Sequence, residues 1–352
     1  MSKIFQYNKP FTLESGETLS GFHLAYTTHG KLNNAADNVV WIFHALTANS
    51  NPLEWWPGLT GEGRFIDPSK YFIVCVNKPG SPYGSISPLS TDPETGEAYH
   101  DRFPSFTIRD MVKAYIHLRE YLGINKIFIG TGGSTGGMQL LEWAIEEPEL
   151  FEHIVPIATN ALLSPWGIAL NASQRMAIEA DPTWLDKDQN AGQKGLAAAR
   201  SIALLSYRHY NGYQITQSRD KAFIPLSKNV KHAADNYQRY QGIKLVNRFN
   251  TLCYYKLTQS MDSHDVGRNR GGAANALAGI KARTLIIGIS SDILYPPVEQ
   301  EFLQKNISNA KLLMIQSEFG HDGFLLEYEK IESALESFIE KNQRSFLKIA
   351  SN

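Results

Sequence analysis

A serine between glycines is the residue of this chain whose setting most directly indicates chemistry. Residues 132–136 read Gly-Gly-Ser-Thr-Gly, a G-x-S-x-G sequence centred on Ser134. An apolar run at residues 126–130 predicts a strand before it, and residues 134–146 are predicted to form a helix. A serine at so tight a strand-to-helix turn is held in a strained backbone conformation that pushes its hydroxyl outwards. The N-terminus of the helix then favours negative charge that develops beside this hydroxyl.

The glycines around Ser134 admit a second interpretation, which is a turn that binds phosphate. Neither G-x-G-x-x-G nor the lysine of a Walker sequence accompanies them, so we favour the nucleophile. The tight turn also explains why glycines flank the serine. A Cβ at either flanking position would crowd the neighbouring strand and helix.

A serine hydroxyl is a weak nucleophile until a base takes its proton, and two later loops supply the necessary groups. Asp292 follows an apolar run at residues 284–289, and His321 follows another at residues 311–315. They come after Ser134 in the order serine, acid, histidine that hydrolases with this type of turn share. Both follow the carboxyl ends of predicted strands, where sites in open α/β sheets form. We therefore predict a catalytic triad of Ser134, Asp292 and His321.

The loop after the early apolar strand at residues 39–43 is expected to complete this site. An oxyanion hole needs two backbone N–H groups, one directly after the nucleophile and one from such a loop. We assign these groups to Thr135 and Leu46. His44 is expected to brace the loop, because only His321 among the histidines at strand ends follows both the serine and the acid.

The elements that must position these residues form a regular alternation. Strands are predicted at residues 39–43, 71–76, 126–130, 154–158, 284–289 and 311–315. Helices are predicted at residues 108–122, 134–146 and 328–341. Strands that are apolar throughout and alternate with helices indicate an α/β fold with a mostly parallel sheet flanked by helices.

The alternation stops between two of these strands. Residues 162–276 are helical in character, rich in Ala, Gln, Arg, Tyr and Asn, and contain no convincing strand. We interpret this segment as an inserted helical lid and use that name for it. The predicted α/β core then consists of residues 1–161 and 277–352.

Composition excludes several classes of function. The 352 residues carry 34 basic and 35 acidic side chains without a long run of either sign, so no nucleic-acid or membrane-surface partner is indicated. No stretch of about 18 apolar residues predicts a membrane span, and the N-terminal residues lack a signal sequence. Neither of the two cysteines belongs to a metal-ligand pattern. We expect a cytoplasmic protein without a bound metal or cofactor.

Several segments together resemble one family, the homoserine O-acetyltransferases, which are α/β-hydrolase-fold enzymes of methionine biosynthesis. In chain order they resemble the family sequences HALT at residues 44–47, WWxGL at 55–59, NPxTG at 92–96, FPxxTIRDMV at 103–112, GGSMGGMQxLEWA at 132–144, GLxxAR…TY at 195–207 and YQGxKFxxRF at 240–249. The resemblance therefore covers most of the chain and includes the lid.

The resemblance implies that the chain moves an acetyl group from acetyl-CoA to the hydroxyl of L-homoserine by a ping-pong mechanism through an acylated Ser134. Acetyl-CoA would be a co-substrate, not a bound cofactor. The family's substrate residues correspond to Arg200 and Tyr207 for the homoserine carboxylate and to Asp322 for its amine. The resemblance also implies a homodimer joined through the lid.

Some positions depart from the family sequences. Thr135 stands where Met is usual, residues 77–85 differ from NVLGGCxGS, and Asn250 replaces an Asp. These departures leave open a donor such as succinyl-CoA, serine as acceptor, and an esterase of the same fold. A binding or scaffolding protein that kept the fold is a further alternative, although it would have no need of all three triad residues.

Overall fold

The computed structural model describes residues 2–188 and 190–350, with side chains as far as residue 340. The strands are β1 Lys3–Tyr7, β2 Phe11–Thr12, β3 Thr18–Leu19, β4 Phe22–His29, β5 Val39–Phe43, β6 Phe72–Val76, β7 Ile127–Gly133, β8 Phe151–Ile157, β9 Arg283–Ile289 and β10 Ala310–Ile315. The helices are α1 Pro52–Trp55, α2 Ile108–Tyr121, α3 Thr135–Glu146, α4 Pro165–Glu179, α5 Gln193–Tyr207, α6 Tyr210–Thr216, α7 Ala233–Val246, α8 Thr251–Asp262, α9 Ala273–Ala278, α10 Pro297–Asn306, α11 Gly323–Leu326 and α12 Tyr328–Ala350. Single 3₁₀ turns lie at His100–Arg102 and Gly320–Asp322.

Eight strands form one sheet in the order β1-β4-β6-β5-β7-β8-β9-β10. In this order, all neighbouring strands from β6 across to β10 pair in parallel. At the other side of β6, β4 pairs with it antiparallel, and β1 pairs antiparallel with β4 at the edge of the sheet. The predicted fold class, a mostly parallel sheet flanked by helices, is confirmed. The sequence pattern did not reveal β1 or β4, because both carry polar residues and β1 is a half-exposed edge strand.

Both faces of the sheet are covered, which is why its central strands are apolar throughout. On one face Trp41 of β5 packs edge-on against Trp143 of α3, with ring centroids 4.9 Å apart. On the other face Ile42 belongs to a core that includes Trp56 and Phe324. Neighbouring residues of β5 therefore pack into the core on opposite faces of the sheet.

The parallel register brings distant loops to one edge of the sheet. Phe43 at the end of β5 pairs with Gly132 near the end of β7, and Ile289 and Ile315 end β9 and β10 side by side. The loops that carry Leu46, Ser134, Asp292 and His321 all leave from these carboxyl ends, where sites in parallel sheets form.

Helices α4 to α8 lie between β8 and β9 in the chain, in the segment that we call the lid. The side chains of Arg175 on α4 and Asp262 on α8 form an ion pair at 2.6 Å that joins the two ends of this helical group. The division into core and lid remains a prediction. Residues 1 and 351–352 of the predicted core and residue 189 of the lid lie outside the described residues.

In the part of the chain that the structure describes, no helix combines the length and the apolar character needed to cross a membrane. The final helix, α12, begins at Tyr328 as predicted and continues to Ala350, beyond its predicted end. Its buried Ile331 and Leu335 pack with the core on the Trp56 side of the sheet.

The turn from β7 to α3 requires glycines, because backbone elements approach each other closely there. A Cβ on Gly136 would overlap the carbonyl oxygen of Phe43 and lie 2.9 Å from its carbonyl carbon. A Cβ on Gly132 would lie 2.7 Å from the same oxygen. These obstacles are backbone atoms of a buried strand and cannot move aside, so the predicted reason for the glycines holds.

We expect Gly136→Ala to lower the free energy of unfolding by about 2–3 kcal/mol, because the added methyl group must displace β5 or α3. Gly96→Ala is the matched control, since Gly96 has a φ of +74° but nothing within 4 Å of its Cβ position. That control should cost about 1 kcal/mol. Urea unfolding of both variants measures the difference, and equal losses would contradict the steric explanation.

Candidate active site

Ser134 occupies a strained position between β7 and α3. Its backbone lies at φ 58° and ψ −126°, a region that residues with a Cβ seldom adopt. Two hydrogen bonds maintain this strained conformation. The Ser134 N–H donates to the Ile157 carbonyl at 3.0 Å, and the Thr159 hydroxyl donates to the Ser134 carbonyl at 2.9 Å. The serine side chain borders a cavity at the carboxyl edge of the sheet.

His321 and Asp292 are joined directly. The Nδ1 atom of His321 lies 2.7 Å from Oδ2 of Asp292, and both side chains are buried. The other carboxylate oxygen, Oδ1, accepts the N–H groups of Leu294 at 2.8 Å and Tyr295 at 3.0 Å. An Asp292 carboxylate held in this way keeps the proton of His321 on Nδ1 and leaves Nε2 as the basic nitrogen.

The basic nitrogen is not engaged in a hydrogen bond within the described part of the chain. Among the described residues, Nε2 of His321 is buried and has no hydrogen-bond partner. His321 and Ser134 line the same cavity, which has a volume of about 80 Å³. An unpartnered base beside a hydroxyl is what proton transfer from the serine requires.

The two loops that carry the acid and the base are linked to each other. The Ser291 hydroxyl donates to the Ser317 carbonyl at 2.6 Å and accepts the Gly320 N–H at 3.1 Å. Because Ser291 precedes Asp292 and Gly320 precedes His321, these bonds set the spacing of the acid and the base.

Tyr295 is a part of the site that the sequence did not reveal. Its ring is completely buried and packs edge-on against His321, with centroids 5.2 Å apart. Burial raises the pKa of Tyr295 well above its usual value, and a polar interaction with Ser134 offsets only part of the rise. Tyr295 therefore stays neutral and supports the imidazole from one side. Its place just after Asp292 was the available signal.

The two residues predicted for the oxyanion hole lie on different elements. Thr135 is the first residue of α3, and Leu46 borders the cavity from the loop after β5. His44 braces that loop: its Nδ1 contacts the Ala45 carbonyl at 2.8 Å, and its Nε2 accepts the N–H of Lys78 at 3.2 Å. His44 therefore has no free nitrogen with which to act as a base.

Arg200 and Tyr207, which the family resemblance assigns to the substrate carboxylate, both lie at the cavity. Both residues line it from α5, and the guanidinium carbon of Arg200 lies 5.5 Å from the centre of the Tyr207 ring. The Tyr207 ring in turn lies 5.7 Å from the ring of His321. Arg200 has no carboxylate partner among the described residues, so its charge is available to a ligand.

Asp322 also lines the cavity, and the structure gives it a partner that the sequence did not indicate. Arg208, directly after α5, forms an ion pair with Oδ2 of Asp322. The Arg208 guanidinium also donates to the Tyr237 hydroxyl, at 3.1 Å from Nη2 and 3.3 Å from Nε. Arg208 thus ties the helix that carries Arg200 to the loop that carries His321. The sequence signal that could have indicated Arg208 is its position directly after Tyr207.

Within residues 2–188 and 190–350, no group of three or more His, Cys, Asp and Glu side chains could hold a metal ion. Cys75 and Cys253 are both buried free thiols. The arrangement as a whole suits attack by a serine on a carbonyl, with one cation and one anion beside the nucleophile.

The chain is similar to proteins of known family. A family model described as the alpha/beta hydrolase fold matches residues 38–328. A homoserine O-acetyltransferase of Cyclobacterium marinum is 46% identical over 340 residues, which cover 97% of this chain and 95% of that protein.

Two solved structures show how widely the fold is shared. The crystal structure of homoserine O-acetyltransferase from Bacillus anthracis has a TM-score of 0.87 at 23% identity and covers 96% of this chain and 97% of that chain. The crystal structure of esterase E22 has a TM-score of 0.86 at 23% identity and covers 96% of this chain and 99% of that chain. At these identities the two structures show the fold, and the curated relative shows the family. The chain therefore belongs to the homoserine O-acetyltransferase family of α/β-hydrolase-fold enzymes.

Proposed function

We propose that this enzyme transfers the acetyl group of acetyl-CoA to the hydroxyl of L-homoserine by a ping-pong mechanism through an acetylated Ser134. One observation carries the proposal. A single cavity is bordered by a candidate nucleophile, its base, a cation and an anion, namely Ser134, His321, Arg200 and Asp322. The name of the curated relative supports the acetyl group and the homoserine acceptor.

In the first half-reaction, the Ser134 hydroxyl attacks the thioester carbonyl while Nε2 of His321 takes its proton. Asp292, hydrogen-bonded to Nδ1, stabilises the imidazolium that forms. The N–H groups of Leu46 and Thr135 donate hydrogen bonds that stabilise the negative charge on the tetrahedral oxygen. The C–S bond then breaks, and His321 returns the proton to the departing CoA thiolate.

In the second half-reaction, homoserine enters and His321 takes the proton of its hydroxyl. The alkoxide oxygen attacks the acetyl carbonyl, and the same two N–H groups stabilise the second tetrahedral intermediate. The bond to Ser134 breaks and His321 gives the proton back to the serine oxygen. O-acetylhomoserine leaves and the free enzyme is restored.

The charges around the cavity match the zwitterionic end of homoserine. We propose that Arg200, with Tyr207 beside it, binds the carboxylate, and that Asp322 binds the ammonium group. The ion pair with Arg208 holds the Asp322 carboxylate through Oδ2, so Oδ1 is the oxygen proposed to accept from the substrate. An acyl acceptor held at both charges presents its hydroxyl in a defined direction.

An esterase is the second candidate, because esterase E22 shares this fold almost completely. Fold alone does not separate the activities, since both begin with acylation of a serine. They differ in whether water or an amino acid takes the acyl group. If p-nitrophenyl acetate is hydrolysed rapidly and homoserine neither accelerates nor diverts the reaction, the esterase is supported. Parallel assays with succinyl-CoA and with serine test the other donor and acceptor.

We expect Ser134→Ala to lower acetyl transfer by at least about 10³-fold, because the variant lacks the hydroxyl that is proposed to accept the acetyl group. The intact mass after brief mixing with acetyl-CoA should show one added acetyl group on the wild type and none on the variant. Ser173→Ala, at an exposed serine of α4, is the matched control and should be acetylated normally. Transfer at the wild-type rate by Ser134→Ala would contradict the assignment.

We expect Arg200→Ala to lower kcat/KM for homoserine by about 10- to 100-fold, as loss of a charge-assisted carboxylate contact predicts. Acetylation of Ser134 should be unaffected, because homoserine enters only in the second half-reaction. Arg239→Ala removes an exposed lid arginine and should leave both steps unchanged. An unaltered kcat/KM for homoserine in Arg200→Ala would remove this residue from the site.

We further propose a homodimer joined through the lid and a location in the cytoplasm, where acetyl-CoA and amino acids are available. Lid helices carry large apolar side chains that are exposed in the single chain, among them Met176, Leu205 and Ile243. Light scattering should give the mass of two chains, and Leu205→Glu should shift it towards one. A monomeric wild-type protein at micromolar concentration would contradict the dimer, and recovery in a membrane fraction would contradict the location.

A further inference from the structure

Lys78 is an unusual residue in the core of this protein. It follows β6 and is 2% exposed, although its side chain ends in an amine. Burial lowers the pKa of that amine from its ordinary value to about 7. A lysine is seldom buried so completely unless its amine is held by specific partners.

The partners of Lys78 belong to the two halves of the proposed oxyanion hole. Its Nζ donates to the carbonyl of His44 at 2.9 Å and to the hydroxyl of Thr135 at 3.0 Å. Its backbone N–H donates to Nε2 of His44 at 3.2 Å. One side chain therefore joins the loop that leads to Leu46 with the first residue of α3.

Each end of this link is itself anchored. On the loop side, Nδ1 of His44 bonds the Ala45 carbonyl, one residue before Leu46. On the helix side, the Gln139 side chain donates to the Thr135 carbonyl at 2.9 Å and accepts the Tyr115 hydroxyl at 2.8 Å. The link through Lys78 therefore connects two held segments, and a change in it alters their separation.

The two side chains that meet are departures from the family sequences. The family sequence NVLGGCxGS has Val at the position of Lys78, and Met is usual in the family at the position of Thr135. An apolar pair can only pack together, whereas the lysine and threonine form a directional hydrogen bond inside the core. This chain therefore has an amine donor and a hydroxyl acceptor at the two positions, and they bond to each other.

We propose that Lys78 is a positioning residue that sets the distance between the Leu46 and Thr135 N–H groups of the oxyanion hole. This proposal rests on the proposed function, because the two N–H groups matter only if an acyl-enzyme forms through a tetrahedral intermediate. Donors to an oxyanion act through their fixed geometry, so a small displacement of either lowers the rate of the chemical step. Binding of homoserine at Arg200 does not depend on this distance.

The decisive variant is Lys78→Met, which keeps most of the volume and removes the amine. We expect the rate of Ser134 acetylation by p-nitrophenyl acetate to fall by about 10- to 100-fold, with KM for homoserine unchanged within about 3-fold. A trifluoromethyl ketone, which forms a tetrahedral adduct with the serine, should lose affinity by a similar factor.

The matched control is Lys256→Met. Lys256 is a part-buried lysine whose Nζ donates to the Phe103 carbonyl at 2.6 Å, outside the candidate site. We expect its acetylation rate and ketone affinity to equal those of the wild type. The thermal midpoint of both variants is measured alongside, because loss of stability without loss of rate in Lys78→Met would show a purely structural lysine.

A second variant keeps the proposal testable if Lys78→Met does not fold. Thr135→Val removes the hydroxyl acceptor, keeps the side-chain shape and retains the backbone N–H. It should slow acetylation by about 3- to 10-fold. Where both single variants fold, the double variant should be no slower than Lys78→Met alone, since both changes break one link. Wild-type acetylation by Thr135→Val, or full multiplication of the two losses, would overturn the proposal.

The same measurements separate this role from the function on which it rests. If the wild-type enzyme gains no acetyl group on Ser134, the proposed function fails and the role of Lys78 fails with it. If the wild type is acetylated and Lys78→Met is acetylated equally fast, only the role of Lys78 fails.

Discussion

The hydrogen bond between His321 and Asp292 is the interaction on which the rest of the candidate site depends. It joins residues 29 apart in the chain inside a buried environment, where an unpaired carboxylate or imidazolium would be costly. Two backbone N–H groups and the imidazole together satisfy the oxygens of the Asp292 carboxylate there. Parallel β9 and β10, which deliver the two loops side by side, are the structural requirement for that contact.

The site combines a strained backbone, a buried amine and a buried nitrogen without a hydrogen-bond partner, three features that a protein optimised only for stability would avoid. Ser134 sits in a strained conformation that the hydrogen bonds from its neighbours maintain. Lys78 is buried as an amine, and Nε2 of His321 is left without a partner among the described residues. The surrounding apolar core, on both faces of the sheet, stabilises the fold enough to support these groups.

Much of the fold followed from local patterns. Apolar runs between helices predicted the strands of the parallel sheet, because a strand covered on both faces is apolar at every position. The same rule explains why no strand was predicted at β1 or β4, because both carry polar residues, β1 as a half-exposed edge strand and β4 as its antiparallel neighbour inside the sheet. The sequence did not indicate Arg208 or Tyr295 for another reason. A residue that merely follows a predicted site residue has no pattern of its own that marks it as part of the site.

The amino-acid sequence by itself determined the fold class, the family, and the order of serine, acid and histidine along the chain, because these reside in residue type and spacing. Only the tertiary structure decided which side chains meet: that Arg208 pairs with Asp322, that Tyr295 packs on His321, and that Lys78 reaches Thr135. Lys78 and Thr135 lie 57 positions apart. Contacts over such separations depend on strand order and register, which the packing of the whole chain establishes.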